Sequence, residues 1–226
     1  MRVKDRTGKA VIYLLLVLGA VLMLMPFYYM ISTSLKGPAD IYVNRLVWIP
    51  SRLVWKNYVT AWRSEPYFGR YFVNSAFIAT VTTLAQLATS ALAAYAFSSF
   101  SFWGKETLFM LLLGTMMIPS QVTLVPNFLV SDWLGILNTR WAVILPGSFA
   151  PFSVFLLTKF MRRIPVSLIE AAKLDGAGEW QIFTKICLPQ CRAALYSIAI
   201  LVFIDYWNMV EQAIILLEDP SMHPLS

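Results

Sequence analysis

The sequence predicts an all-α protein that is integral to a membrane. Of its 226 residues, 58% are hydrophobic and only 13% are charged, whereas an ordinary soluble domain has about a quarter of its residues charged. Four stretches of 18 to 34 residues contain no charged side chain, and a helix needs about 20 apolar residues to cross the hydrocarbon core of a bilayer. This composition excludes a disordered protein. It also excludes a typical soluble enzyme of this length, because so few charges could not cover its surface.

Five transmembrane helices are predicted from the positions of the apolar stretches. The first, residues 10–31, follows four basic residues and could be a secretory signal peptide, but its apolar part is too long and no cleavage site of small residues follows it. We therefore expect an uncleaved span, followed by a loop over residues 32–70. The remaining spans are predicted at residues 72–97, 107–130, 141–160 and 194–217.

The distribution of basic residues predicts that the N-terminus, residues 1–9, is cytoplasmic. With that orientation the inner segments contain eleven Lys and Arg residues and the outer segments seven, as the positive-inside rule requires. We therefore expect a multi-pass protein of the cell membrane, in contact with lipid, with residues 32–70 as an outer loop. The sequence has no basic stripe interleaved with exposed aromatic residues, so nucleic acid is not an expected partner.

The sequence contains no recognisable catalytic or metal-binding motif. Its two cysteines, Cys187 and Cys191, and its single histidine, His223, are too few ligands for a tetrahedral zinc site. The two Gly-Lys pairs are followed by Ala10 and Glu106, where a phosphate-binding loop requires Ser or Thr. We therefore expect no enzymatic activity, and no metal or cofactor held by this chain.

The longest inner loop, residues 161–192, has the pattern of two short amphipathic helices. The first is predicted to begin near Pro165, with Ser167 and Glu170 spaced as a capping box, and to run through Leu174. Gly176 allows the chain to turn before the pattern resumes at residues 179–186. We expect Pro189 to end this second helix and to lead into the fifth span.

This loop carries a resemblance to a known family. The motif residues, in the order of the chain, are Glu170-Ala171-Ala172, Asp175-Gly176-Ala177, and Ile186 followed by Leu188-Pro189. They resemble the EAA motif of the permeases of ATP-binding-cassette (ABC) importers, in the form found in the carbohydrate subfamily. Other residues similar to that subfamily are Asn57-Tyr58, Trp62, Asn74-Ser75, Ala93-Ala94-Tyr95-Ala96, Met117-Ile118-Pro119, Pro126, Leu137-Asn138-Thr139 and Trp207-Asn208.

The resemblance implies the transmembrane domain of a type I ABC importer, in which the inner loop docks in a groove of a separate ATPase. The implied partners are an ATPase dimer that binds ATP and Mg, a second homologous permease, and an extracytoplasmic sugar-binding protein. Glu170 offers a carboxylate to a basic partner group, and the small side chains of Ala171 and Ala172 allow close approach. The residues implied in ATPase coupling are Glu170, Ala171, Ala172, Asp175, Gly176, Ala177, Leu188 and Pro189.

The fifth predicted span contains an acidic residue, Asp205, beside Tyr206, Trp207 and Asn208. An intramembrane carboxylate is costly and usually faces a bundle interior or an aqueous path, so these four residues are candidates for the substrate pathway. A polar contact with a partner span is the alternative, and for Glu211 we favour it or an interfacial position. Met209 stands where the family more often has an acidic residue.

Another class of function is compatible with part of the pattern. An ion-coupled secondary transporter or channel could use Asp205 as its proton or cation group, but the sequence shows no inverted repeat or interrupted helix of that class. The family's permeases have six spans, and the sequence ends where the outer loop before the sixth would begin. We therefore expect residues 71–226 to be a permease core with five of the six helices present and the final span missing.

Overall fold

A computed structural model describes residues 2–43, 45–64 and 67–225 of the chain. Within those residues the regular structure is helical, with no strand. The chain divides into two compact units, Met1–Pro66 and Tyr67–Ser226. The observed all-α architecture, with several helices long and apolar enough for a bilayer, confirms the predicted fold class of an integral membrane protein.

The first unit consists of one long helix and a folded loop. Helix α1 is Arg2–Ser34 and contains a 27-residue apolar segment, Gly8–Ser34, that is long enough to cross a membrane. Two short helices follow, α2 at Pro38–Ile41 and α3 at Lys56–Ser64. The side-chain amide of Asn57 donates hydrogen bonds to the carbonyls of Ser34 and Lys36, both at 2.9 Å. The loop is thereby attached to the carbonyl groups that the end of α1 leaves without helical partners.

The second unit is organised around helix α4, Phe68–Ser99. Its buried face packs against two other helices, α8 and α11. The further helices of this unit are α5 Lys105–Thr115, α6 Ser120–Trp133, α7 Arg140–Gly147, α8 Pro151–Met161, α9 Val166–Leu174, α10 Glu179–Gln190, α11 Arg192–Trp207 and α12 Glu211–Leu216.

One of the predicted spans is bent in the structure, and a second bend lies just before the fifth predicted span. Phe68–Ser99 and Arg140–Met161 are continuous apolar segments, but α5 and α6 meet at 105° and α10 and α11 at 75°. Five spans result only if each bent pair is counted as one. The 107–130 stretch was predicted as a single span, and its break falls before Pro119, which cannot donate a helical hydrogen bond and restricts the preceding residue.

The fifth predicted span, residues 194–217, is also interrupted. Helix α11 ends at Trp207, and the side chain of Asn208 donates to the carbonyl of Ile204 at 3.0 Å. At about 1.5 Å per residue, its 16 residues extend roughly 24 Å, less than the hydrocarbon thickness of about 30 Å. Glu211 lies after the break, exposed in the first turn of α12.

Buried side chains of the second unit form two hydrophobic clusters at opposite ends of α4. One surrounds Tyr95 near the C-terminal end of α4 and includes residues of α8, α10 and α11. The other surrounds Ile78 and includes residues of α7 and α12. Tyr206 packs against both clusters, so the centre of this unit is continuous from the loop at residues 161–192 to the C-terminal segment.

Candidate coupling loop and polar cavity

The loop at residues 161–192 folds as two helices separated by a glycine turn, as its sequence predicts. Helix α9 ends at Leu174, and Gly176 adopts a φ of +81°, a left-handed conformation that glycine adopts without steric cost. Within the turn, the amide of Ala177 donates to the carbonyl of Ala172 at 2.9 Å. The turn therefore depends on a backbone conformation that a β-branched residue would strain.

Two local predictions for this loop are wrong. Pro165 is the N-cap of α9 and no side chain caps that end, so Ser167 lies inside the helix and forms no capping box with Glu170. Pro189 does not end the second helix, which continues to Gln190. Pro189 has no N–H for the carbonyl four residues before it, and the helix contains a π turn at Phe183–Cys187, just before this proline.

The residues implied in coupling divide into an exposed group and a packed group. Glu170, Ala171, Asp175, Gly176 and Pro189 are exposed. Ala172, Ala177 and Leu188 are half-buried and pack against the hydrophobic cluster around Tyr95. The carboxylates therefore lie on the open side of the loop. The half-buried residues hold the loop against the helices.

Leu174 is an exposed apolar residue at this surface that the sequence analysis did not single out. Its side chain is 89% exposed at the end of α9, one turn beyond Glu170 and Ala171. It adds an apolar group to the exposed side of α9 that bears Glu170 and Ala171. Periodicity alone did not separate it from Ile169 and Ala172, the half-buried residues of α9.

A second carboxylate, Glu179, joins this loop to α4. The hydroxyl of Tyr95 donates to Glu179 Oε2 at 2.6 Å, and Lys173 Nζ lies 2.8 Å from Oε1. The hydrogen bond from Lys173, followed by that from Tyr95, holds the pKa of Glu179 below its usual range. The carboxylate is therefore charged at neutral pH and connects α4, α9 and α10.

The two cysteines of the loop are packing residues in this structure. Cys187 and Cys191 are both about 1% exposed, carry free thiols, and lie in the hydrophobic cluster around Tyr95. Among the described residues, no group of three or more His, Cys, Asp or Glu side chains is arranged to hold a metal ion.

The candidate pathway residues are only partly brought together. Asp205 and Tyr206 line a cavity of about 300 Å³ with Gln86, Phe152 and Ser153 among its walls. Trp207 instead packs edge-on against Phe72 and stacks on Phe203, with ring centroids 5.4 and 5.7 Å apart. Asn208 caps α11 and does not line this cavity.

Gln86 and Ser153 are polar residues of this cavity that the sequence analysis missed. Gln86 Nε2 donates to Ser153 Oγ at 2.7 Å, and both residues are buried between α4 and α8. An amide and a hydroxyl inside apolar spans were the available signal. The cavity thus combines a carboxylate, a phenol, an amide and a hydroxyl with an aromatic wall, a combination that suits hydroxyl-bearing ligands.

Known proteins similar to this chain are membrane components of transport systems. The sequence profile of the family described as "binding-protein-dependent transport system inner membrane component" matches residues 86–223. The chain is 32% identical over 206 residues to the diacetylchitobiose uptake system permease protein NgcG of Streptomyces coelicolor, covering 90% of this chain and 68% of the relative. It is 30% identical over 222 residues to the polygalacturonan/rhamnogalacturonan transport system permease protein YtcP of Bacillus subtilis, covering 98% and 77%.

A solved structure shares the fold over the whole chain. It is the crystal structure of a bacterial ABC transporter involved in the import of the acidic polysaccharide alginate. One of its chains matches with a TM-score of 0.88 and 27% identity, over 100% of this chain and 79% of that chain.

Proposed function

Because the chain belongs to the family of binding-protein-dependent transport system inner membrane components, among the carbohydrate ABC transporter permeases, we propose that it is the permease subunit of an ATP-driven sugar importer. In this proposal a separate ATPase dimer binds and hydrolyses ATP with Mg. The loop at residues 161–192 couples that hydrolysis to alternating inward and outward access. In this proposal the chain itself supplies no catalytic group and holds no cofactor.

The observation that supports coupling most directly is the open surface of α9. Glu170 and Asp175 present carboxylates there, Ala171 leaves room for a close neighbour, and Leu174 presents an apolar side chain. A groove with basic groups at its rim and an apolar floor would complement this surface. The ATPase dimer is the proposed occupant, with this surface, the coupling surface, as its docking site.

The other proposed partners are a second homologous permease, an extracytoplasmic sugar-binding protein and membrane lipid. Asp205 is exposed on the apolar helix α11, where a carboxylate facing lipid would be costly. A pathway between two permeases would give this group water or a polar neighbour. Asp205 and Tyr206, with Gln86 and Ser153, are proposed to line that pathway. Trp207 and Asn208 remain in the proposal only as residues that position this end of α11.

The N-terminus and the coupling loop are proposed to lie on the cytoplasmic side, as the excess of basic residues predicts. The family's dependence on a binding protein agrees with a cargo delivered from the opposite side. Sugars are the proposed cargo because the relatives named above carry saccharides, among them diacetylchitobiose and alginate.

The coupling assignment is tested by reversing the charge of the coupling surface or straining its turn. Replacing Glu170→Lys, or Gly176→Val at its φ of +81°, is expected to abolish retention of the ATPase in mild detergent while the chain still inserts. Co-purification of the ATPase with each variant measures this. Lys105→Glu, a charge reversal at the first residue of α5, is the matched control and should retain the ATPase.

An ion-coupled transporter or channel, the alternative function, would not co-purify with an ATPase. The structure contains interrupted helices, the feature that favours that class and that the sequence did not reveal. A chain that never retains an ATPase and transports alone in liposomes, driven by an ion gradient, would contradict the permease proposal.

A further inference from the structure

Helix α4 is joined to the coupling loop by a hydrogen bond between residues far apart in the sequence. Tyr95, near the C-terminal end of α4, is 6% exposed, and its ring packs against those of Phe100 and Phe183 with centroids 5.5 and 5.1 Å away. From this position its hydroxyl donates to Glu179 at 2.6 Å. The packing fixes the ring, so the hydroxyl can reach the carboxylate without a further loss of side-chain freedom.

The same carboxylate is also bound from the coupling helix. Lys173 belongs to the last turn of α9 and approaches the other oxygen of Glu179 at 2.8 Å across the glycine turn. One carboxylate therefore accepts a hydrogen bond from α4 and an ion-pair hydrogen bond from α9, while it is itself the first residue of α10. Hydrogen bonds to a charged acceptor are about twice as strong as neutral ones and are directional.

Resting on the proposed function, we propose that Tyr95 and Glu179 are positioning residues that make α4 move with the coupling loop when the ATPases displace α9. The backbone carries such a displacement to α8 and α11, because the loop continues directly into these helices at residues 162–165 and 191. Helix α4 has no such connection to the loop, and its motion depends on side-chain contacts. Apolar contacts alone allow sliding because they are non-directional. The bonds of Glu179 set one register, together with a longer hydrogen bond from Arg162 to the carbonyl of Phe97 at 3.3 Å.

A measurement of motion at the far end of α4 tests this without knowledge of the cargo. Val73, near the N-terminal end of α4 and 62% exposed, is replaced by cysteine, while the native cysteines are buried. The chain is assembled with its partner permease and ATPase in nanodiscs of phosphatidylethanolamine and phosphatidylglycerol. Maleimide labelling of V73C is then compared with and without ATP and vanadate.

In V73C with Tyr95 and Glu179 unchanged, the rate of maleimide labelling is expected to change when ATP and vanadate are added. Tyr95→Phe, which keeps the ring and removes the donor, and Glu179→Met, which removes the acceptor, are each expected to reduce that change several-fold while the ATPase still co-purifies. The double variant should be no worse than the stronger single one, because both remove the same contact. Tyr196→Phe and Glu218→Gln, at exposed side chains, are matched controls and should leave the change intact.

The outcomes separate this inference from the proposed function. A full nucleotide response in the Tyr95 and Glu179 variants, or additive effects in the double variant, would overturn the inference and leave the permease assignment standing. Absence of any response in V73C itself, or no retained ATPase, would overturn the coupling proposal. If Tyr95→Phe lowers the amount of folded protein, Lys173→Met at the exposed side of the network tests the same point and should weaken the response.

Discussion

Two single residues, Gly147 and Asn138, determine how closely neighbouring segments of the second unit approach each other. A Cβ atom at Gly147 would overlap the hydroxyl of Tyr206 and Cγ2 of Thr82, so only glycine lets α11 approach α7 this closely. Asn138 has a φ of 55°, which asparagine adopts more readily than most residues. Its Oδ1 accepts two backbone N–H groups of the C-terminal segment, both at 3.0 Å. These two positions hold α11 and the C-terminal segment against α7.

Gly147→Ala is expected to destabilise the second unit. The added methyl group forces Tyr206 or α7 to shift, and overpacking of this kind costs about 1–3 kcal/mol. The melting temperature of the detergent-solubilised protein should therefore fall. Gly114→Ala is the matched control, since no atom lies within 4 Å of its added Cβ, and it should be neutral or slightly stabilising. Equal melting temperatures for the two variants would contradict the close approach at Gly147.

At the scale of helices, proline has different effects depending on what surrounds it. Pro119 stands at the break between α5 and α6, which meet at 105°. Pro189 is contained in α10, which includes a π turn at Phe183–Cys187 and ends at Gln190, one residue after this proline. Packing of Phe183 and Cys187 in the cluster around Tyr95 holds this turn in place. A proline therefore marks a missing helical hydrogen bond, and tertiary contacts decide whether the helix ends there.

The end of α1 provides a test at the same scale. Asn57→Ala removes both hydrogen bonds to the carbonyls of Ser34 and Lys36, each worth about 0.5–1.5 kcal/mol. The backbone bond from Val54 to Leu35, at 2.9 Å, should then open more often. Faster hydrogen exchange of the Val54 amide is the expected result. The neighbouring exposed variant Lys56→Ala should leave that exchange rate unchanged, and an unaltered rate in both would contradict this role for Asn57.

At the scale of the whole molecule, the second unit has packed contacts at both ends of α4. The coupling surface and Tyr95 lie at the C-terminal end of α4, and at the other end Asn74 donates to the carbonyls of Ser221 and His223. The polar cavity with Gln86 and Asp205 lies between them. A displacement at the coupling surface thus has a continuous packed path, through α4 and α11, to the cavity and to the opposite end.

The sidedness of these two ends is testable with two matched variants. Trp103→Cys lies between α4 and α5, on the side of the coupling loop, and Trp133→Cys lies at the end of α6; the tryptophans are 99% and 83% exposed. A membrane-impermeant maleimide should label Trp133→Cys in intact cells, and Trp103→Cys only after permeabilisation. The buried native cysteines should contribute little background. The reverse labelling pattern would contradict a cytoplasmic coupling loop.

The sequence by itself determined the helical membrane class, the approximate positions of the apolar segments, and the two short helices around Gly176. These properties are local, because composition, helical periodicity and glycine conformation act within a few residues. It also carried the family resemblance that the comparisons then confirmed. It did not separate Asp205 and Tyr206, which line the cavity, from Trp207 and Asn208, which do not.

Only the tertiary structure decided which distant side chains meet. Tyr95 and Glu179 are 84 residues apart, and Gln86 and Ser153 are 67 apart, so no spacing along the chain pairs them. The angles of the two bends, 105° and 75°, and the exposure of Leu174 are likewise visible only in the structure. Such contacts arise when helices bury their shared faces, and each helix's own sequence specifies only that it has a face to bury.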